Sequence, residues 1–172
     1  IEKISGKSYE KFIQDEIFKP MKITNIKLAQ KSELGSWNDE VKYYSDTFNP
    51  YDMNVNRMDA HGGWVSSATD FVKFMTFVDG FSNVKDILKS ETIQKMITPS
   101  IQNQNYASGW AVNTNNNWWH TGSLPGTVSE MIRGSNGFNW VVLCNSSSES
   151  PNIFTDLDNL LWPIVNNQNI KW

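Results

Sequence analysis

The segment from residue 106 to residue 145 is the part of this sequence that most constrains the fold. It contains four runs rich in aromatic and β-branched residues, separated by turn formers, at residues 106–112, 118–121, 128–133 and 138–145. Asn136-Gly137 separates the last two runs, and this dipeptide favours the tight turn of a β-hairpin. Consecutive strands joined by short turns predict an antiparallel sheet.

Amphipathic helix patterns precede the strand region. Ser8 can cap a helix that ends at Pro20, and Ser67 can cap a helix in which Asp70 occupies the capping-box position. A further helix is predicted from residue 90 until Pro99 stops it. The predicted buried faces of these helices are Tyr9, Phe12, Ile13 and Ile17, then Phe71, Phe74, Met75 and Val78, and last Ile93, Met96 and Ile97.

Both ends of the chain are also predicted to be helical. Residues 1–4 match the last turn of a helix, which Gly6 closes. A final helix is predicted to begin at Ser150-Pro151, and Pro163 must end or bend it. The face of this helix that is predicted to cover the sheet consists of Phe154, Leu157, Leu161 and Ile164.

Residues 21–58 show poor periodicity, and turn formers recur in them. We predict a long, loop-rich crossing with a short strand at residues 23–28. The complete pattern predicts an α+β fold, an antiparallel sheet flanked by helices. We expect a single domain over residues 1–172, with mostly helices and loops in 1–100 and antiparallel strands plus a C-terminal helix in 101–172.

Composition sets aside several classes of protein. A chain of 172 residues with 39% hydrophobic content can bury roughly two thirds of its unfolded surface, so we expect a globular domain with a substantial core. The net charge is −3 and the basic residues are dispersed, so we predict no nucleic-acid partner. The apolar runs at residues 140–144 and 153–165 are too short or too polar to cross a bilayer.

The single cysteine and the two histidines give no pattern of a metal site. Cys144 lies within an apolar strand, so we expect it in the core, and a lone cysteine excludes an intrachain disulfide. His61 and His120 lack a clustered third ligand, whereas zinc sites usually show closely spaced pairs. We therefore predict no metal and no cofactor.

Residues 118–126, Trp-Trp-His-Thr-Gly-Ser-Leu-Pro-Gly, form the candidate site. The tryptophans favour a strand, and Gly122 leaves room for a ligand to lie against it. Ser123 then supplies a backbone N–H of the kind that stabilises a developing oxyanion. His120 can both donate and accept, since the reference pKa of histidine is ~6.5. The alternative is a strand that enters a tight turn, with His120 merely hydrogen-bonded.

A second glycine feature lies in Asp-Ala-His-Gly-Gly-Trp, residues 59–64. The paired Gly62 and Gly63 allow close approach of a backbone, as at the rim of a substrate-binding cleft. A simple turn explains them equally well.

Five blocks of the sequence together resemble a known family. They are Ile-Glu-Lys-Ile-Ser-Gly-Lys-Ser-Tyr at 1–9, Ile-Phe-Lys-Pro-Met at 17–21, Gly-Gly-Trp-Val-Ser-Ser-Ala-Thr-Asp at 62–70, Ser-Gly-Trp at 108–110, and His-Thr-Gly-Ser-Leu-Pro-Gly at 120–126, which leads to Trp-Val-Val-Leu-Cys-Asn at 140–145. Their order resembles the C-terminal half of the serine β-lactamase and penicillin-binding protein superfamily, especially its class C-like D,D-peptidases and esterases. The resemblance implies the C-terminal part of a β-lactamase/transpeptidase-like fold.

This resemblance also implies a site and a chemistry. His120, Thr121 and Gly122 correspond to the family's third active-site motif, and the Ser123 amide corresponds to its oxyanion donor. The implied activity is acyl-enzyme hydrolysis of a small-molecule or peptide substrate, in an exported, periplasmic or cell-envelope protein. Histidine replaces the permanent cation lysine in this motif, which favours peptidase or esterase chemistry over strong β-lactam turnover.

The family's nucleophile motif, Ser-x-x-Lys, is missing from its expected place, and so is the Tyr-x-Asn motif. Ser8 with Lys11, followed by Ser-Trp-Asn at 36–38, fits the patterns, but the helix after Ser8 carries a charged face unlike that of a central nucleophile helix. Ser82 with Lys85 is a weaker match still. Because the chain begins within a helix pattern and has no initiator methionine, we expect it to be the C-terminal half of a longer enzyme.

We expect this half to be inactive alone. The alternative is a non-catalytic binding or regulatory domain that retains the fold. In the family, N-terminal strands flank the final strand, so the isolated chain is expected to self-associate, either through the edge at residues 141–144 or by a swapped terminal helix.

Overall fold

Two antiparallel sheets and five α-helices make up the described part of the chain. The structure is a computed structural model that describes residues 1–30, 37–147 and 150–171. The helices are α1 (Glu2–Ser5), α2 (Tyr9–Ile13), α3 (Ala68–Met75), α4 (Ser90–Ile97) and α5 (Ile153–Val165). None of these helices is long and apolar enough to span a bilayer.

The N-terminal helices begin and end where the sequence predicts. Gly6 adopts the left-handed conformation, with φ 69°, and its N–H donates to the Glu2 carbonyl at the end of α1. The Ser8 hydroxyl caps α2 by accepting from the Lys11 N–H at 3.3 Å. A π-helical turn, Gln14–Phe18, continues this helix to the residues just before Pro20.

The described parts of the crossing, residues 21–30 and 37–58, are irregular, as predicted. The strand expected at residues 23–28 is confined to β1 (Lys27–Leu28), which pairs with β2 (Trp64–Val65). Ile23 and Ile26, which precede it, are buried in a core cluster with Phe18, Met21 and Val78. Three 3₁₀ turns follow it, at Pro50–Asp52, Val55–Arg57 and Asp59–His61.

α3 and α4 lie where the sequence predicts them, and a side-chain cap marks the start of α3. The Ser67 hydroxyl accepts from the Asp70 N–H at 3.0 Å, which confirms the predicted start of α3. On the predicted faces, Met75, Val78 and Ile93 are buried, while Phe71, Phe74, Met96 and Ile97 are half-buried. α4 ends at Ile97, two residues before the expected breaker Pro99.

The larger sheet has four strands in sequence order, β3 (Ala111–Val112), β4 (Trp118–Leu124), β5 (Thr127–Arg133) and β6 (Asn139–Cys144), and neighbours are antiparallel. The predicted antiparallel sheet is confirmed, and Gly137, with φ 93°, lies in the turn between β5 and β6. β3 is shorter than expected because Gly109, with φ 83°, folds residues 106–111 back on themselves.

β4 is longer than the predicted 118–121, since the turn that ends it comes only at Pro125-Gly126. Gly126 has φ 79°, and a β-carbon there would lie 2.5 Å from Pro50 Cγ and 2.9 Å from Tyr43 Cβ. The irregular crossing therefore packs directly on the β4–β5 turn, which requires glycine.

Helices cover both faces of the larger sheet. On one face, Trp118, Met131 and Val141 pack with Met75 of α3 and Ile93 of α4. On the other face, Trp140 packs edge-on against Trp162 of α5, with ring centroids 4.7 Å apart. The α+β class inferred from the sequence is thus confirmed as a helix–sheet–helix arrangement.

Two predicted core positions are wrong. Ile164 of α5 is 41% exposed, whereas Phe154, Leu157 and Leu161 are half-buried. Cys144 is half-buried rather than in the core, because it ends β6, the outermost strand of the described sheet. Pro163 does not end α5, which continues to Val165.

Candidate active site

Strand β4 presents a free backbone edge over the candidate site. β3 pairs only with Trp118 and Trp119, so β5 lies on one side of His120–Leu124 and no described strand lies on the other. N–H and C=O groups on such an edge can pair with an extended ligand. The candidate site therefore combines the side chain of His120 with an open strand edge.

His120 is exposed, and each of its ring nitrogens has a partner. Nδ1 lies 2.8 Å from the Thr121 carbonyl oxygen, and Nε2 lies 3.0 Å from the Tyr106 hydroxyl oxygen. A carbonyl can only accept, so Nδ1 carries a proton. In the neutral imidazole Nε2 then holds the lone pair and accepts from the Tyr106 O–H.

Thr121 and Ser123 differ from His120 in orientation, and Thr121 also differs from it in exposure. His120 lies opposite Met131 on β5, whereas Thr121 lies opposite Glu130, so the two side chains point to opposite faces of the sheet. Thr121 is half-buried and Ser123 is exposed. His120, Thr121 and Ser123 therefore share the backbone edge of β4, but their side chains do not lie on one face of the sheet.

Gly62 and Gly63 lie with the small sheet, next to β2. Gly62 is exposed with φ 97° and ends the Asp59–His61 turn. Gly63 is buried, its carbonyl accepts from the Ala29 N–H at 2.7 Å, and a β-carbon there would lie 3.1 Å from the Met58 carbonyl carbon. Local backbone geometry thus explains why glycine occupies each position. A role of Gly62 and Gly63 at the rim of a substrate-binding cleft stays a prediction.

Glu130 is a buried acid that the sequence analysis missed. It is 2% exposed, and its Oε2 has no hydrogen-bond partner. Burial, followed by the negative charge of Asp158 on α5, raises the pKa of the Glu130 carboxyl to about 7. A signal was available, because Glu130 alternates with the apolar Val128 and Ile132 on the face that is buried.

Arg133 is a second buried charge next to the site. Its guanidinium carbon lies 3.9 Å from the ring centroid of Phe81 and 4.2 Å from that of Trp118. Its Nε donates to the Asp79 carbonyl at 3.1 Å, and its Nη1 donates to the Asn116 carbonyl at 3.0 Å. These contacts hold the start of β4 against the loop that follows α3.

Two concave regions lie away from the predicted site residues. A cavity of about 170 Å³ is lined by Val72, Thr76, Asp79, Phe81, Asn83, Val84, Gly137, Phe138 and Asn139. A more open groove of about 370 Å³ runs along α5 and is lined by Asp158, Asn159, Trp162, Pro163 and Asn166. Neither region includes His120.

The serines considered as nucleophiles have other surroundings. Ser8 is an exposed helix cap, and the Lys11 Nζ forms an ion pair with Asp15 at 3.1 Å. Ser82 is also exposed. Ser36 lies outside the described residues, whereas Trp37 and Asn38 lie in a turn.

One family model matches this chain. The model described as Beta-lactamase matches residues 1–160, which is most of the chain. The chain belongs to the beta-lactamase family. This result confirms the resemblance drawn from the five sequence blocks. Comparison with curated protein sequences gives no significant match.

Solved structures confirm the fold of this beta-lactamase family chain. A D-stereospecific amidohydrolase from Streptomyces sp. is similar, with a TM-score of 0.68 and 16% identity over 94% of this chain and 51% of that one. An octameric penicillin-binding protein homologue from Pyrococcus abyssi is similar, with a TM-score of 0.65 and 22% identity over 96% of this chain and 40% of that one. The chain thus spans about half the length of these structures.

Proposed function

We propose that this chain is the C-terminal half of a serine hydrolase that acts through an acyl-enzyme, of the D,D-peptidase, esterase or β-lactamase type. It supplies one wall of the active-site cleft, formed by the edge of β4 with His120, Thr121, Gly122 and the Ser123 amide. The nucleophilic serine comes from a segment outside this sequence. The observation that carries the proposal is the free β4 edge at an exposed His120 in a beta-lactamase family chain.

In the proposed reaction the Ser123 amide stabilises the charge that the attacking serine creates. The serine oxygen attacks the substrate carbonyl carbon, and the carbonyl oxygen becomes an oxyanion that the Ser123 N–H stabilises. Collapse of this intermediate breaks the bond to the leaving group, which takes up the proton that the serine hydroxyl lost on attack. Water then attacks the acyl-enzyme, and the acid product and free serine are released.

His120 determines which substrates suit the site. A lysine would place a permanent cation against a substrate carboxylate, whereas the Tyr106–His120 pair is an uncharged hydrogen-bonding surface when the imidazole is neutral. This difference favours small-molecule or peptide substrates cleaved by peptidase or esterase chemistry. Location in the periplasm or cell envelope belongs to the same proposal.

Covalent labelling tests the proposal. The 172-residue chain is incubated with a fluorescent penicillin and with an activated ester, and its intact mass is measured. We expect no stoichiometric adduct on the chain alone, because oxyanion and positioning groups remain but the nucleophile does not. An adduct at Ser8 would show that the chain is an independent enzyme.

The longer protein provides the complementary measurement. We expect His120→Ala to lower its turnover by about 10²-fold, the order of loss that a misplaced substrate causes, because the variant removes the hydrogen-bonding surface that orients the substrate. His61→Ala is the matched control, since His61 is exposed in a 3₁₀ turn apart from β4. Equal turnover with and without the His120 imidazole would contradict the role assigned to it.

A non-catalytic binding or regulatory domain is the second candidate function. The half-length match to the solved structures is the observation that keeps this candidate open. The upstream coding sequence separates the two candidates. Ser-x-x-Lys and Tyr-x-Asn before Ile1 support the enzyme, and their absence supports the binding domain.

A further inference from the structure

Tyr106 is the partner of His120, and neither the sequence motifs nor the family match assigns it a role. We propose that Tyr106 is a positioning residue for His120: its hydroxyl caps Nε2 and, with the Thr121 carbonyl at Nδ1, holds the imidazole in one orientation and one proton arrangement. The consequence of this arrangement for catalysis rests on the proposed function. The two hydrogen bonds that hold the His120 ring do not depend on the proposed function.

The direction of the two hydrogen bonds follows from chemistry. Since the Thr121 carbonyl oxygen can only accept, the 2.8 Å contact requires a proton on Nδ1. The neutral ring then has its lone pair on Nε2, and the Tyr106 hydroxyl at 3.0 Å is the donor. Contacts at opposite ends of the ring prevent its rotation about the bond to the β-carbon, and the Tyr106 ring packs edge-on at a centroid distance of 6.0 Å.

Tyr106 can position another side chain because its own backbone is held firmly. Tyr106 bridges to Ala111, which pairs with Trp119, the neighbour of His120. Two hydrogen bonds close the turn between Tyr106 and Ala111. The Ala107 N–H donates to the Trp110 carbonyl at 2.7 Å, and the Val112 N–H donates to the Asn105 carbonyl at 3.0 Å.

Trp110 anchors this turn in the protein interior. It is 5% exposed and packs edge-on against Trp118 of β4, with ring centroids 6.2 Å apart. The buried Trp110 thus holds the turn that carries Tyr106 against β4, the same strand that carries His120. A rigid support of this kind is what a positioned catalytic group requires.

Capping changes what the site presents to a ligand. The imidazole is exposed to solvent, yet its lone pair is occupied by the Tyr106 proton. The oxygen of Tyr106 retains lone pairs that can accept from a donor on the substrate. Nε2 becomes available as an acceptor only when the Tyr106 hydroxyl moves away.

The reactivity of the two histidines towards diethyl pyrocarbonate tests this inference without any turnover. The reagent acylates an unprotonated imidazole nitrogen, and His61 and His120 are the two histidines of the chain, both exposed. At about pH 8, where imidazole is neutral, peptide mass spectrometry gives both rates from one sample. We expect His120 to react ~2–10-fold more slowly than His61, the range that matches one hydrogen bond of about 0.5–1.5 kcal/mol.

The variant Tyr106→Phe removes the cap and should raise the His120 rate to that of His61. Tyr9→Phe is the matched control, since it removes a hydroxyl that accepts from the Trp64 Nε1–H, also at 3.0 Å, and it should leave both rates unchanged. A His120 rate that is already equal to that of His61 in the wild type overturns the inference. A slow His120 that stays slow in Tyr106→Phe also overturns it, because something else then shields the ring.

Imidazole ¹⁵N spectra of the same variants give a second readout. The wild-type His120 should show the Nδ1-protonated tautomer, and Tyr106→Phe should shift the Nε2 resonance while far-ultraviolet circular dichroism stays unchanged. A wild-type His120 protonated on Nε2 instead would overturn the inference. These measurements involve no substrate, so their outcome can be distinguished from a failure of the proposed hydrolase activity.

Discussion

The hydroxyl of Ser129 occupies the space beside Gly122, so that a β-carbon at position 122 would lie 2.7 Å from Ser129 Oγ. The two residues are directly opposite each other on β4 and β5. The lack of a side chain at position 122 therefore has a reason inside the sheet, whether or not a substrate binds at the β4 edge as proposed.

Gly122→Ala should show energetic coupling to Ser129. Alanine alone gains strand propensity but forces the Ser129 hydroxyl to another rotamer, whereas in the Ser129→Ala background that contact is absent. We expect a coupling free energy of about 1 kcal/mol in a double-mutant cycle of urea unfolding. Additive effects of the two substitutions would show that the contact carries no energy.

The stability of the chain should fall as pH rises through the ionisation of Glu130. Burial raises its pKa from 4.5 to about 7, so the folded state binds more protons than the unfolded state between these values. The free energy of unfolding should decrease across this window by roughly 1–3 kcal/mol. Below pH 4.5 the stabilising proton is bound in both states.

Glu130→Gln should remove this part of the pH dependence, because glutamine keeps the shape and cannot ionise. Glu91→Gln, in the exposed first turn of α4, is the matched control and should leave the profile unchanged. Unfolding free energies measured across the window check both variants. Identical profiles for wild type and Glu130→Gln would place the pH dependence elsewhere.

Ser8→Ala should cost stability and no chemistry. The Ser8 hydroxyl caps α2, and loss of such a cap costs about 0.5–2 kcal/mol. Urea unfolding measures the cost, and ester hydrolysis by the longer protein should be unchanged. A large loss of hydrolysis with little loss of stability would instead identify Ser8 as a nucleophile.

The isolated chain should self-associate through the outer edge of β6. The described sheet has no strand beyond β6, and Leu143 on it is 38% exposed. Leu143→Lys should lower the association measured by light scattering in a dilution series. Leu160→Lys makes the same change on α5, where the leucine is 61% exposed, and a larger effect there would indicate helix swapping. A monomeric mass of the wild type at high concentration would refute association altogether.

Sequence signals from neighbouring residues predicted the helices and strands well, and the errors that remain have a physical cause. The caps at Ser8 and Ser67 and the closing residue Gly6 act within one helical turn, so they can be recognised from neighbouring residues alone. The predicted strand 106–112 was too long because a single left-handed Gly109 folds it back. Periodicity does not register such a change of direction.

The α+β class, the capped starts of α2 and α3, the antiparallel sheet and the family could be predicted from the sequence, since these depend on periodicity, capping and the order of motifs. Packing between elements was needed to bring Asp158 of α5 close to Glu130, to place Arg133 between two aromatic rings, and to let Tyr106 donate to His120. Those contacts join residues from different elements, and they depend on strand register and helix packing, which no local pattern of residues encodes.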